Sequence, residues 1–426
     1  MRARGEGLRR RADSLLFRIR GLASLRQLVN LSSEQDITPR QWSVLEMQLN
    51  AASALLTTRT KAATDSLLPR ARDASARRKL NAALGQIELD LSRAYTFFDT
   101  YMDVLTQRRS GELGPVLAGC DVLAYQAMRR EHPTLTAIEA PLVFCDRGFG
   151  AAIVRESVAF PDGTPNPMPL IQIPYSRLRE KCNLTSVLHE AGHQSLTRLQ
   201  LVAALPLAFR AALTRAGAPK PVCDLYALWA FEIGPDFWGF CLSGVAQAAA
   251  MRELFAMPPS HALRLSVTDP HPPPYLRVLL SFDWCRRAFG RGRWDAWERE
   301  WELLYPLTGQ AGTTRTLLQN ARRFVPVVGD ALFNYRFREL ENRALVDLFD
   351  LTAISPAEVR RVAEKAASGV LNLRGLTPCA QLAVFAELRE MRAMTEERLD
   401  DLMTAWLRHL GERRPRRKTT RPLAGK

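Results

Sequence analysis

Two histidines and a glutamate in the middle of the chain have the spacing of a metal site. His189, Glu190 and His193 lie in the sequence HEAGH, which fits the pattern H-E-x-x-H. The residues before it are typical of the first turns of a helix. Positions i and i+4 of a helix share one face, so both imidazoles can bind the same ion. Glu190 is placed to take a proton from a water that the ion activates, so the motif predicts a zinc site with a base beside it.

The helix that carries this motif is predicted to be buried on one side. Apolar residues recur around the motif at helical spacing, which is typical of a helix that packs one face on a core. A solvent-exposed helix with histidine and glutamate would also fit the short motif, but it would not need the apolar stripe. The stripe comprises Leu184, Val187, Leu188, Ala191, Leu196 and Leu199.

Two histidines do not complete a catalytic zinc site, which takes a third protein ligand and leaves a fourth position for water. The metzincin pattern places glycine three residues and histidine six residues after the second histidine. Leu196 and Leu199 occupy those positions and exclude that family. Several side chains further along the chain remain candidates for the third ligand. They are Asp224, Glu232, Glu253, His261 and His271.

Glu232 and Asp236 are four residues apart and resemble the E-x-x-x-D motif of the gluzincin peptidases. The resemblance implies that Glu232 is the third zinc ligand. It also implies that Asp236 accepts a hydrogen bond from the nitrogen of His189 that does not bind the metal. Both acids lie in an aromatic-rich stretch, where a buried carboxylate without a partner is costly. Pro235 lies between them and is predicted to kink or restart the helix, so that the two acids need not share one face.

A proline-rich segment at residues 269–277 reads DPHPPPYLR. It is similar to the H-P-P…R motif of the prenyl-protein-peptidase branch of the gluzincins. The resemblance implies that His271, or alternatively Tyr275, donates a hydrogen bond to the oxyanion of a tetrahedral intermediate. Arg277 would position His271 or bind a carboxylate of the substrate. That branch is mostly membrane-embedded, so this chain would be a soluble relative, and the resemblance covers about residues 165–280.

The elements around these motifs predict an α+β fold that is mostly helical, with a small zincin-like sheet packed on the HEAGH helix. Four helix starts have recognisable signals. Thr38 and Ser355 each open a predicted capping box, Thr377 precedes a proline at the start of another helix, and Asp224 is a predicted N-cap.

Three short apolar runs, at residues 140–145, 150–154 and 170–174, predict the small sheet. The last run ends in Pro174 just upstream of the HEAGH helix, which is typical of an edge strand. In zinc peptidases of this kind, an edge strand beside the metal holds the substrate backbone by strand addition. An edge strand with a purely structural role is the alternative.

The formal net charge of +15 is concentrated at the two ends of the chain. Residues 1–30 carry eight arginines and two acids, and residues 412–426 carry seven basic residues and one acid, so each end contributes +6. The +3 that remains (15 − 6 − 6) leaves the body close to neutral. The charge therefore gives little support for a nucleic-acid-binding cleft, although the tails could contact nucleic acid or an anionic membrane surface.

Five regions are predicted along the chain. They are a basic, partly disordered segment at 1–37, a helical region at 38–134, a metallopeptidase core at 135–345, a helical region at 346–411 and a basic tail at 412–426.

The seven cysteines are widely spaced and form no C-x-x-C pair. This argues against a disulfide framework and against a cysteine-rich zinc site, and it favours a cytoplasmic location. Arginines interrupt the apolar residues at the N-terminus, so no secretory signal is predicted, although an organelle transit peptide is an alternative. No apolar run is long enough to span a bilayer.

The sequence thus predicts a zinc-dependent peptidase in which His189, His193 and Glu232 hold Zn²⁺ and Glu190 is the general base. Its substrate would be a peptide or protein. The alternative is a zinc-binding or degenerate-peptidase interaction protein that its basic tails recruit to partners or nucleic acid. Structural zinc sites are usually closed and rich in cysteine, and the HEAGH motif is intact, so the peptidase is favoured.

Overall fold

The computed structural model describes residues 5–32, 36–148, 150–156, 158–159 and 165–412, so nearly all of the predicted basic tail lies outside them. The described chain is mostly helical with a small mixed sheet, which confirms the predicted fold class. The α-helices are α1 (Glu6–Gly21), α2 (Leu25–Val29), α3 (Pro39–Leu67), α4 (Ala74–Thr106), α5 (Leu113–Met128), α6 (Pro133–Thr136), α7 (Thr185–Arg198), α8 (Leu201–Arg215), α9 (Lys220–Ser243), α10 (Val245–Leu254), α11 (Pro259–Ala262), α12 (Pro274–Phe289), α13 (Arg293–Leu304), α14 (Gly312–Arg323), α15 (Val325–Asn334), α16 (Pro356–Ala367), α17 (Pro378–Glu390) and α18 (Glu396–Glu412).

The N-terminal region is a helical bundle with its own core. Leu15 and Ile19 of α1, and Leu22 just after it, are buried against the long helices α3 and α4. Residues 6–29 are therefore largely helical, whereas the sequence predicted a partly disordered segment. The predicted capping box at the start of α3 is present, because the amide of Gln41 donates to the Thr38 hydroxyl and the Thr38 amide donates to the Gln41 side chain.

The sheet lies between this bundle and the rest of the protein. Its strands are β1 (Leu142–Asp146), β2 (Ala152–Val154) and β3 (Leu170–Pro174), in the order β1-β3-β2, with β3 parallel to β1 and antiparallel to β2. Side chains alternate between the two faces of a strand. Leu142 and Leu170 accordingly join the bundle core, and Val143 and Ile171 join the second core.

The prediction that residues 170–174 form an edge strand is wrong, because β3 is the central strand. Pro174 is its last residue, paired in register with Asp146, and a proline at the end of a strand interrupts little of the hydrogen-bonded ladder. The edge on the side of the HEAGH helix belongs to β2. A second, two-stranded sheet consists of β4 (Arg336–Phe337) and β5 (Arg343–Ala344).

The second core extends from α5 to α18 and includes the helices that carry the metal-site motifs. Helix α18 packs closely on α5, where a Cβ added at Gly119 would lie only 2.1 Å from the Leu407 carbonyl oxygen. The C-terminal helices therefore share one core with the HEAGH helix, and the boundary predicted at residue 345 does not separate two cores.

Two predicted helix signals differ from the structure. The side chain of Ser355 makes no capping hydrogen bond, and Glu358 pairs instead with Arg361, so the second capping box does not form. Asp224 is not an N-cap, because α9 already begins at Lys220 and the Asp224 carboxylate pairs with that residue. Thr377 does cap α17, as predicted.

Within the described residues, no single helix is long and apolar enough to cross a membrane. One bent pair of segments, Lys181–Arg198 and Leu201–Arg215 at 93° to each other, meets the length and composition criteria when taken together.

Candidate metal centre and cleft

Helix α7 presents both histidines of the HEAGH motif on one face. His189 and His193 are one turn apart, and their Nε2 atoms are 3.2 Å from each other. Both residues are buried, as are the apolar residues on the opposite side of the helix. The sequence predicted this arrangement correctly.

The second half of the site comes from α9, which packs against α7. The sequence predicted a kink or a restart at Pro235, and the structure shows no restart, because one helix continues from Lys220 to Ser243 with this proline inside it. Pro235 itself forms part of the helix contact, because a Cβ added at Gly192 of α7 would lie 2.9 Å from its Cα. Tertiary packing thus holds the helical path, and Glu232 and Asp236 share a face.

His189, His193 and Glu232 bring their ligand atoms together within 4.8 Å of one another, and all three residues are buried. The Nε2 atom of His189 lies 3.3 Å from one oxygen of Glu232, and the Nε2 atom of His193 lies 3.5 Å from the other. This group could hold a metal ion. Two imidazoles and one carboxylate form the ligand set of a catalytic site with an open position.

Asp236 orients the first histidine. Its Oδ1 atom lies 2.8 Å from His189 Nδ1, which leaves Nε2 directed at the other two ligands. Arg277 in turn holds Asp236, with Nε 2.7 Å from Oδ2 and Nη2 2.7 Å from Oδ1. Arg277 therefore fixes the orientation of Asp236, whereas the sequence predicted a contact with His271 or with a substrate carboxylate.

Burial and charge give Glu232 and His193 the forms that bind a cation, whereas His189 keeps a proton that a metal would have to displace. Burial alone would raise the pKa of Glu232, but hydrogen bonding and charge from His189, together with the charge of Arg277, lower it to about 2. Burial and the charge of His189 lower the pKa of His193 to about 3, so its imidazole is neutral. Burial would likewise lower the pKa of His189, but Asp236, with Glu232 and Glu190, outweighs burial and raises it to about 10 in the metal-free protein.

Glu190 lines the same cleft beside the first histidine. Its side chain is buried, and burial raises the pKa of its carboxyl group to about 7, although the charge of His189 acts in the opposite direction. A carboxyl group with a pKa near neutrality can both accept and release a proton at physiological pH.

The two candidate oxyanion donors lie in different places. His271 lines the cleft, with Nε2 3.6 Å from Glu232 Oε1 and Nδ1 2.8 Å from Asp269. Tyr275 is 2% exposed and does not line the cleft, and burial raises its pKa to about 12. Residues two apart on a helix do not face the same way, so Tyr275 of α12 cannot face the metal site as Arg277 does.

Of the other candidates for a third ligand, His271 lines the cleft, whereas Asp224, Glu253 and His261 have partners elsewhere. Asp224 pairs with Lys220, Glu253 pairs with Arg389, and exposed His261 interacts with the neighbouring Ser260. Only Glu232 joins both histidines in a group within ligand distance in the described chain.

The metal-site group opens into a cleft of about 480 Å³. Residues 150–153, at and before the β2 edge strand, form one wall, and one face of α10 forms another, with Gln247, Met251 and Leu254. Two basic residues that the sequence did not single out, Arg155 and Arg177, also line it. No local signal distinguishes them from the many other arginines of the chain, because only folding brings them to the site.

Comparisons with known proteins found no match. No protein-family model, no curated protein and no solved structure matches this chain.

Proposed function

We propose that this protein is a zinc-dependent peptidase of the gluzincin type. The observation that carries the proposal is the convergence of His189, His193 and Glu232 with the acid–base group Glu190 in one open cleft. The first three supply a metal-binding group, and the fourth supplies the proton acceptor that hydrolysis requires.

Zinc is the metal that this ligand set fits best. Two imidazole nitrogens and one carboxylate oxygen are ligands that zinc commonly takes in catalytic sites. The hydrogen bond from His189 to Asp236 fixes the ring orientation in the way that carboxylates beside metal-binding histidines do. When bound, zinc supplies a Lewis acid that polarises a carbonyl group and lowers the pKa of a water.

Glu190 performs the proton transfers of the reaction. Its carboxylate takes a proton from the attacking water and delivers it to the nitrogen of the leaving amine, so that the peptide C–N bond breaks to a carboxylate and an amine. The pKa of about 7 suits both steps, because the group exchanges a proton near neutral pH.

His271 is the donor to the carbonyl oxygen of the substrate. Its Nδ1 atom lies 2.8 Å from the Asp269 carboxylate, which holds the ring in the cleft with Nε2 3.6 Å from Glu232 Oε1. The peptide itself runs beside β2, whose open edge offers backbone hydrogen-bonding groups along the cleft wall.

Incubation of the purified, zinc-loaded protein with a random peptide library tests this proposal. Cleavage products identified by mass spectrometry in wild type and absent from Glu190→Gln would support it. If the zinc-loaded wild type cleaves no peptide, the proposal is wrong.

A further inference from the structure

The substrate cleft has a positively charged group at each end of helix α7. Arg155 follows β2, and its Nη1 donates to the hydroxyl of Thr197 in the last turn of α7 at 2.8 Å. Arg177 lies in the 3-10 helix Tyr175–Leu178, which packs against the turn that leads into the start of α7. The metal-site residues lie between the two.

Arg177 is the more unusual of the two, because its charge is buried and poorly compensated. The side chain is 3% exposed, and Nε has no hydrogen-bond partner. Its ion pair in the described chain is with Glu180, 3.1 Å from Nη1, and the Glu180 side chain is itself 50% exposed to solvent. A buried guanidinium normally requires a well-formed partner, since removing its charge from water is costly.

Arg277 lines the same cleft, and its buried charge is fully paired with carboxylates. Its guanidinium makes two hydrogen bonds of 2.7 Å to Asp236 and lies 3.9 Å from Glu232. No such carboxylate pair faces Arg177 in the described part of the chain. Burial lowers the pKa of Arg177, and the charges of Glu180 and Glu253 only partly oppose that effect.

The cleft that Arg177 lines also has apolar residues. Met251 and Leu254 lie on the cleft face of α10, and Phe255 follows at its end. A group that binds there would combine an apolar body with an anionic end. A carboxylate meets this requirement, because it matches the planar donor fork of arginine.

We propose that Arg177 binds a carboxylate of the peptide substrate and so determines which peptides are cleaved. This inference rests on the proposed peptidase function. The carboxylate is either the free C-terminus of the substrate or the side chain of an aspartate or glutamate at a fixed distance from the cleaved bond. Both have the same chemistry at Arg177.

Matched peptide libraries distinguish the two sources. The first library has free C-termini, the second has the same sequences with C-terminal amides, and the third has free C-termini with every Asp and Glu replaced by Asn and Gln. We expect kcat/KM to fall by about 10- to 100-fold in the second library if the C-terminus is bound, or in the third if an acidic side chain is bound.

The preference for peptides that carry the bound carboxylate should depend on Arg177. Arg177→Gln should lose the preference, because kcat/KM for the library with the bound carboxylate should fall to that for the library without it. Glu180→Gln removes the competing carboxylate and should increase the preference. Arg179→Gln is the matched control, because Arg179 is 86% exposed and does not line the cleft.

Each result supports or overturns the inference. Equal cleavage of all three libraries by wild type, or an unchanged preference in Arg177→Gln, would overturn it while leaving the peptidase function intact. If Arg155→Gln loses the preference and Arg177→Gln keeps it, the carboxylate binds at Arg155 and the inference is wrong. If wild type cleaves nothing, the proposed function fails and the inference fails with it.

Folding is checked through zinc content. If Arg177→Gln loses zinc, Arg177→Lys replaces it, and a reduced preference in that variant supports the inference because lysine keeps the charge without the planar fork. If neither variant retains zinc, Glu180→Gln decides, because an unchanged preference among the three libraries in that variant would overturn the inference.

Discussion

Asp236 lies 2.8 Å from Nδ1 of His189, although the residue before it in α9 is a proline. The contact exists because α9 continues through Pro235 and packs its small residues against α7. It orients the imidazole so that Nε2 faces Glu232 at 3.3 Å. One carboxylate thus links the helix that carries the HEAGH motif to the helix that carries Glu232.

Metal content should depend on Glu232. We expect about one zinc per chain in wild type and in Glu190→Gln, and a loss in Glu232→Ala, because two imidazoles alone make an incomplete site. Elemental analysis of protein purified without added zinc is the measurement. Glu253→Ala is the control, since that carboxylate pairs with Arg389 away from the histidines. Zinc retained by Glu232→Ala would show that another group completes the site.

Glu190 should be required for turnover but not for metal binding. Glu190→Gln keeps the size of the side chain and removes its ability to accept a proton, so we expect kcat to fall by about 10²- to 10⁴-fold. Kinetics and zinc content are measured on the same preparation. Activity equal to that of wild type in the zinc-loaded variant would rule out Glu190 as the base.

Zinc binding should release a proton from His189 even at pH values well above the ordinary pKa of histidine. Burial lowers the pKa of His189, but Asp236, Glu232 and Glu190 together raise it from 6.5 to about 10 in the metal-free protein, so the metal must displace that proton. The apparent affinity for zinc should rise about tenfold per pH unit for each proton released, and the rise from His189 should continue to about pH 10.

Titration calorimetry in buffers of different ionisation enthalpy, at about pH 8, counts that proton. In Asp236→Asn the largest raising effect on the pKa of His189 is lost, and only Glu232 and Glu190 still oppose burial, so the proton release should fall. The same proton count in both proteins would contradict the role given to Asp236.

His271 and Tyr275 should differ in their effect on catalysis. His271→Ala should lower kcat by about 10²-fold or more without loss of zinc, because it removes a donor to the oxyanion. Tyr275→Phe should leave kcat unchanged, since the hydroxyl of Tyr275 does not reach the cleft. Loss of zinc in His271→Ala would instead identify this histidine as a metal ligand.

Close packing between α7 and α9 should make Gly192 intolerant of a side chain. An added Cβ would lie 2.9 Å from Pro235 Cα and 3.0 Å from Trp238 Cβ, so Gly192→Ala should destabilise the fold by about 1–3 kcal/mol and weaken zinc binding. The control is Gly85→Ala in α4, where the nearest atom is 3.9 Å away. It should stabilise the protein by up to about 1 kcal/mol. Denaturant unfolding measures both.

Local sequence determined the parts of the site that one helix supplies. The HEAGH spacing and its apolar stripe fixed the shared face of His189 and His193, because helical periodicity alone sets which residues point together. The predominance of helix, the capping box at Thr38 and the positions of the three strands also followed from short-range patterns, which involve neighbouring residues only.

Tertiary structure decided everything that depends on contacts between distant segments. Pro235 reads locally as a helix breaker, and its packing against Gly192 keeps it inside α9. Pro174 reads as an edge residue, yet the pairing of β3 on both sides places it in the central strand. The roles of Arg277 and Arg177 could not be predicted from the sequence either. The residues around an arginine in the sequence do not show whether its guanidinium holds Asp236, lines a cleft or faces water. Only the folded chain supplies the partners that distinguish these cases.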